Sequence, residues 1–232
     1  MIKKKGIEYK MNKEKLIVIE GACDGIGKTT QFNLLKEHLK KDKEKVITHH
    51  FPSYGSDEAL LIEKYLNGEL GSLNEVSPYL INSLYAIDRA ITWNKSLKEE
   101  YKKGKIILLD RYTTSSLIYQ SALIEDINKK KDFIKYVCDY EYNKLNIKIP
   151  DNVIFLEAPF DLVTKMRKER TTNIGVKNDI HETNLEFMKK VYDNAIFLAD
   201  YLNWNKIKCN NAKTMKSKEE IHNNIYKLIK KK

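Results

Sequence analysis

Apolar residues recur along the chain in two rhythms. Leu16-Ile-Val-Ile19 and Ile106-Ile-Leu-Leu109 are short unbroken apolar runs, and Asn152-Val-Ile-Phe-Leu156 is a third. Runs of this length and composition predict strands buried on both faces. Residues 46–51 predict another strand, stopped by Pro52, and 206–209 a last one. Between them the spacing turns helical. Phe32, Leu35 and Leu39 line one side of a helix over 29–40, and Leu80, Leu84, Ile87 and Ile91 line a long one over 78–102. Further helices are predicted over 58–66, 113–123, 132–145, 161–169 and 184–202, and from 217 onward. Residues 171–178 read as a polar, mobile connection. Strands alternating with helices imply an α/β fold: a parallel five-stranded sheet with right-handed crossovers and helices on both faces. The reading is one domain over 15–232 behind a basic extension at 1–14, with Met11 a second candidate start.

Composition changes that picture in one respect. The 232 residues carry 42 lysines and arginines against 32 acidic residues, a net charge of +10. Such an excess invites a nucleic-acid partner. The basic residues are lysines spread over polar helix faces and the tail, and only Arg89, Arg111, Arg167 and Arg170 are arginine. We therefore expect no nucleic-acid partner, and the retained arginines mark places that need a planar fork rather than a point charge. No apolar run approaches the length of a membrane span, so no membrane partner is expected. Three scattered cysteines, Cys23, Cys138 and Cys209, favour neither a disulfide framework nor a metal cluster, and point to a reducing, cytoplasmic setting.

Between the first strand and the first helix, Ala22-Cys-Asp-Gly-Ile-Gly27-Lys28-Thr29 fits the spacing of a phosphate-binding loop, with Ala22 at the usual first glycine. Gly25 and Gly27 free the backbone N–H groups to surround phosphate oxygens, and the helix that follows points its positive end at the anion. The Lys28 ammonium can reach the outer phosphates of ATP and the Thr29 hydroxyl can ligate Mg²⁺. Residues Ala22, Cys23, Asp24, Gly25, Ile26, Gly27, Lys28, Thr29 and Thr30 form the expected nucleotide site. Asp110 ends an apolar strand, where such proteins keep a carboxylate for Mg²⁺.

Several motifs, taken in order, are similar to those of the thymidylate kinase family. They are Asp24-Gly-Ile-Gly-Lys-Thr-Thr-Gln31, Phe51-Pro52, Tyr85 with Arg89, and Asp110-Arg111-Tyr112 followed by Ser115, Ser116 and Tyr119-Gln120. The resemblance spans 16–229 and implies a P-loop NTPase fold that transfers a phosphoryl group from ATP to dTMP with Mg²⁺, as a homodimer. It implies that Arg111 grips the dTMP phosphate and that Asp24 lies between the sugar and the moving phosphoryl group. Tyr85 would stack on thymine while Arg89 reaches a base carbonyl. Ser115 and Ser116 would meet the thymine edge, and Tyr119 would crowd the 2′ position. Phe51, Pro52 and Tyr54 complete the expected substrate site. The segment 166–182 resembles the family's lid, with Arg170 the candidate catalytic charge and Arg167 facing adenine.

The residues alone leave other roles open: packing for Tyr85 and Tyr119, a helix cap for Ser115 and Ser116, and a solvated basic face for the lid. A kinase of another nucleoside monophosphate or of a deoxynucleoside is the rival activity. A guanine-reading switch would want Asp where Asn143-Lys144-Leu145-Asn146 ends in Asn. Three features depart from the family pattern: the turn from Gly21 to Asp24 is one residue longer, His50 stands where many relatives carry arginine, and Ile180 replaces a lid arginine.

Overall fold

A computed structural model describes residues 16–72, 75–174 and 185–230, with backbone only over 168–174. Its strands are β1 (Leu16–Gly21), β2 (Val46–His50), β3 (Ile106–Asp110), β4 (Asn152–Glu157) and β5 (Asn205–Lys208). They form one sheet in the order β2-β3-β1-β4-β5, with every neighbouring pair parallel. The all-apolar runs occupy the three central places because only there are both faces covered. The more polar β2 and β5 take the edges.

Alternation along the strands divides the core into two layers. Leu16 and Val18 of β1 pack with Ile107 and Leu109 of β3 on one face, against Trp93, Leu97 and Ile147. Ile17 and Ile19 pack with Ile106 and Leu108 on the other. That second face is covered by α1 (Lys28–Lys41), α5 (Thr113–Ala122), α6 (Ile127–Cys138), α8 (Leu185–Tyr201) and α9 (Lys218–Lys230). The first carries α3 (Pro78–Thr92) and α4 (Lys98–Lys102), with α2 (Leu60–Leu66) joined to α3 through a smaller core around Ile62, Tyr65 and Ile81.

One expectation is refined and two are corrected. The helix over 78–102 is continuous but changes to π-helical turns at Trp93–Leu97, where Trp93 and Leu97 are both seated in the core. The helix expected over 132–145 starts earlier, because the Asp126 side chain accepts from the N–H of Asn128 (3.0 Å) and Lys129 (2.8 Å) and caps it. It also ends in a π-helical segment, Asp139–Lys144. Finally, α7 (Phe160–Ile174) runs into the stretch read as a mobile connection, since nothing breaks a helix before Gly175. Residues 1–14 and the lid beyond Ile174, 175–182, lie outside the described residues.

The C-terminal helix is latched to α1 by a ring cluster. His38 Nδ1 and His222 Nε2 share one hydrogen bond of 2.7 Å, and the His38 ring stacks on Tyr226 at 3.6 Å. The Tyr226 hydroxyl donates to Asp42, and Lys230 lies 3.2 Å from the same carboxylate. Burial, reinforced by the neighbouring His38, lowers the His222 pKa below its ordinary 6.5. The unfolded chain therefore takes up the proton first as pH falls through 6.5, and stability is given up from there downward until folded His222 protonates. Calorimetry should show Tm falling between about pH 7.5 and 5.5, with a shallower fall in His222→Gln. Equal slopes in the two proteins would detach the latch from the pH response. His49, also lowered by burial, carries part of the remaining slope.

Candidate active site

Open parallel sheets place ligands beyond the carboxyl ends of their strands. Here the register sets Asp110 level with both Ile19 and His50, so the exits of β1, β2 and β3 share one rim. The turn after β1 is pinned by Ala22 N–H to the Leu156 carbonyl at 3.0 Å. Gly25 and Gly27 have φ of +92° and +100°, a region that side chains with a Cβ avoid. No side chain caps the first turn of α1, so its N–H groups remain for an anion.

The glycine that permits the close approach is not where the sequence pattern puts it. A Cβ on Gly21 would sit 2.6 Å from Ile26 Cγ2 and 3.2 Å from Lys28 Cγ. Gly21, rather than Ala22, lets the turn fold back on β1. Across the same turn, a Cβ on Gly25 would meet Arg167 Cβ at 3.2 Å. Helix α7 thus brings Arg167 to the phosphate turn itself. Arg170 lies on α7, and its side chain is outside the described residues.

One carboxylate binds the next group of residues together. Asp24 accepts from Lys28 Nζ at 2.9 Å, from the Tyr119 hydroxyl at 2.7 Å, and from Arg111 Nη2. Burial alone would raise the Asp24 carboxyl; Arg111 and Lys28 override it and hold it well below the usual carboxylate range. Tyr119 moves the other way: burial, then the Asp24 charge, keeps its hydroxyl protonated and donating. Arg111 sits in the left-handed region at φ +67°, with its N–H on the Ile19 carbonyl at 3.3 Å. Backbone strain of that kind costs about 1–3 kcal/mol and persists where the surroundings enforce it. The Cys23 thiol lies beside this cluster, pushed up to about 12 by burial.

Beyond the carboxylate opens a hollow of about 520 Å³. The P-loop contributes Asp24 to its wall, and the exit of β2 contributes Phe51, Pro52 and Tyr54. Tyr85 and Arg89 come from α3, and Arg111, Ser115, Ser116 and Tyr119 from the start of α5 and the turn before it. All the residues expected at the substrate therefore converge. Leu66, Tyr112 and Gln120 also line the hollow and were not expected there. The buried Gln120 Oε1 has no hydrogen-bond partner among the described residues.

Several expected side chains are already committed. Ser115 donates to Glu20 at 2.5 Å, beside Thr114 at 3.0 Å, so its hydroxyl braces β1 rather than standing open. Arg89 is held by Glu141 through Nε (2.7 Å) and Nη2 (2.6 Å), with Ser116 Oγ at 2.8 Å. Asp88 accepts from the Ser53 N–H at 2.9 Å and shapes the Phe51-Pro52 loop from behind. The supporting carboxylates Glu20, Asp88 and Glu141 were missed, because single acidic residues in ordinary helical or strand patterns carry no local signal.

Thr29 and Asp110 offer hard oxygen donors of the kind Mg²⁺ takes. Asp110 Oδ2 meets His50 Nδ1 at 3.2 Å, while its buried Oδ1 has no partner among the described residues. Burial opposes ionisation of Asp110, but the His50 hydrogen bond and the Arg111 and Lys28 charges prevail, keeping it an anion. The donor set suits the ion, and ATP phosphates would supply further oxygen ligands. His50, noted above as standing where the family pattern has arginine, is thus engaged with Asp110.

A phosphate turn between a buried strand and a helix, facing Arg111 at the end of β3, is the arrangement of a P-loop phosphotransferase. The thymidylate kinase family profile matches residues 19–225. Probable thymidylate kinase 1 of Saccharolobus solfataricus is 34% identical over 94% of this chain and 98% of its own length. A probable thymidylate kinase of Methanocaldococcus jannaschii is 35% identical over 92% of this chain and 95% of its own. One from Thermococcus onnurineus is 32% identical over 92% and 96%. The chain belongs to the thymidylate kinase family.

Gly21→Ala tests the geometry of the turn. Forcing a methyl against Ile26 should cost about 1–3 kcal/mol of stability and weaken ATP binding measured by calorimetric titration. Ala22→Gly should leave ATP affinity close to the parent value. The reverse order would return the close-approach role to residue 22.

Proposed function

We propose that dTMP occupies the hollow with its phosphate on Arg111, facing ATP held by the turn of residues 21–30. The enzyme is an ATP-dependent nucleoside monophosphate kinase, and its reaction converts ATP and dTMP to ADP and dTDP. The observation that carries the assignment of sites is the shared carboxylate: Asp24 touches both Lys28 and Arg111, so the two cations that suit two nucleotides lie across one side chain.

Phosphoryl transfer needs positioning and charge neutralisation more than covalent chemistry. The dTMP phosphate is anionic at neutral pH, so its oxygen attacks without a general base. Arg111 orients that oxygen, and Asp24 aims the Arg111 fork. Lys28 follows the charge on the outer ATP phosphates. Thr29 and Asp110 would hold Mg²⁺, which would supply charge neutralisation at the ATP phosphates. Arg167 stands against Gly25, where the P-loop has no side chain of its own, and with Arg170 supplies positive charge to the transferring group.

The base meets Tyr85 face-on, donates its N3–H to Gln120 Oε1, which has no partner among the described residues, and accepts at a carbonyl from Arg89. Tyr119 is fixed by its bond to Asp24 and so crowds the 2′ position of the sugar, which selects deoxyribose. The same reading makes the enzyme a homodimer. On α3 the stripe of Leu80 (53% exposed), Leu84, Ile87 (45%) and Ile91 faces away from the Arg89 side, with Leu60 and Leu61 of α2 also exposed. It also places the reaction in the cytoplasm, which suits three unpaired cysteines. No helix among the described residues is long and apolar enough to cross a membrane.

In a coupled ADP-release assay, dTMP is expected to be strongly preferred over dUMP, dGMP and UMP; equal rates would leave a kinase without the thymidylate assignment. Arg111→Ala should lower kcat/KM by about a thousandfold, in the range for arginines that bear transition-state charge. Lys102→Ala should match the parent, because its partner Glu99 is an exposed i,i+3 pair at 2.7 Å. Similar activity in both variants would move the site elsewhere. Ile87→Lys should shift the sedimentation mass from two chains to one, whereas an unchanged mass would free α3 from the dimer contact.

A further inference from the structure

Arg89 of α3 is a guanidinium with almost no exposed surface, at the wall of the hollow. A buried cation must be matched by a fixed anion and by hydrogen bonds to its remaining N–H groups. Glu141, fully buried, meets both needs in a two-pronged pair: Oε2 takes Nε at 2.7 Å and Oε1 takes Nη2 at 2.6 Å. The second Nη2 hydrogen goes to Ser116 Oγ at 2.8 Å, and Nη1 reaches the Tyr112 carbonyl at 3.4 Å. Of the five guanidinium hydrogens, the described residues engage four. One Nη1 hydrogen is left for a ligand in the hollow that Arg89 lines.

The carboxylate is itself anchored to the helix that carries the rest of the wall. Thr113 Oγ1 donates to Glu141 Oε2 at 2.8 Å from the first turn of α5, the helix of Ser116, Tyr119 and Gln120. Glu141 is the buried residue of the π-helical segment Asp139–Lys144, and the Ile147 N–H returns to its carbonyl at 3.2 Å. Local π-turns in helices often mark functional positions, because they turn one side chain away from the face the 3.6-residue period would give it. This one turns Glu141 inward, between α3 and α5, while the segment's other acid, Asp139, stays exposed.

We propose that Glu141 is the positioning residue for base recognition: it clamps the Arg89 fork so that a single N–H faces a carbonyl acceptor on the pyrimidine. The inference rests on the reading that Arg89 meets the base. A clamped fork presents one donor in one direction, so it accepts a keto group at the 4-position and opposes the amino group of cytosine. A loose fork can turn, and loses that distinction. Glu141 touches no substrate; it acts through Arg89, and through Thr113 it keeps that donor in register with Gln120.

The test compares Glu141→Gln with the parent under steady-state conditions with dTMP and with dCMP. Glutamine offers one acceptor, sets an N–H₂ against the guanidinium, and removes the balancing charge. KM for dTMP should rise by about tenfold to a hundredfold, as for a lost partner of a buried charged group. KM for ATP should stay within about twofold of the parent, and the dTMP:dCMP ratio of kcat/KM should fall by about tenfold or more. Glu141→Asp keeps the charge but not the reach, and should recover part of both losses; it carries the test alone should Glu141→Gln not fold. Unchanged KM for dTMP and an unchanged dTMP:dCMP ratio in the folded variants would overturn the proposal. So would equal rises in KM for both nucleotides, the mark of a merely structural carboxylate. Arg89→Lys separates the two readings. If it alone alters the ratio, the role of Glu141 fails; if it too leaves the ratio unchanged, Arg89 does not read the base.

Discussion

Two cations reach the same few ångströms at the rim of this sheet, and without an anion between them they would repel each other in a place largely closed to water. Asp24 resolves that conflict. Its carboxylate takes Lys28 on one oxygen together with Arg111, and the Tyr119 hydroxyl on the other. Lys28 and Arg111, the proposed grips for the two nucleotides, are therefore positioned relative to a single group on the phosphate turn. Fold and site depend on the same arrangement. The turn can carry Asp24 there only because Gly21 has no Cβ, and Arg111 can meet it only from a left-handed backbone at the end of β3.

Much of this was legible in the residues. The three all-apolar runs became the three central strands, since a segment with no polar face must be covered on both sides. The scarcity of arginine was equally informative: Arg89 and Arg111 line one hollow and Arg167 meets the phosphate turn. What the sequence hid is tertiary in origin. A glycine-rich turn does not say which residue makes the close approach, so Ala22 was assigned what Gly21 does. The π-helical turns at Trp93–Leu97 and Asp139–Lys144 arise where a side chain must be re-aimed by its neighbours, and a 3.6-residue period cannot announce them. The same holds for Glu20 and Glu141. Each is one acid among many until the fold removes it from water.

Burial also explains why lysine would not serve at position 89. A lysine ammonium taken out of water gives up its proton readily, and it offers no fork for a two-oxygen partner. Arginine stays charged and planar, but it then demands an anion. Losing one member of such a buried pair costs about 3–5 kcal/mol, far more than an exposed pair contributes. The retained arginine and the hidden glutamate are therefore one requirement seen at two places in the chain.

Taken together, the buried carboxylates make a frame around α5. Glu20 at the end of β1 holds Thr114 and Ser115, Asp24 on the phosphate turn holds Arg111 and Tyr119, and Glu141 holds Thr113 and Arg89. Consecutive residues at the start of one helix are thus fixed from different sides by groups that belong to different elements. A helix so fixed cannot slide or rotate without breaking charge-assisted bonds in a low-dielectric setting, where each is worth more than in water. That rigidity is what a transfer between two small anionic groups requires, because a misplacement of about 1 Å costs such reactions about a hundredfold. The hydroxyl and carboxylate pairs behind the hollow thus set its accuracy, while the residues facing it set its chemistry.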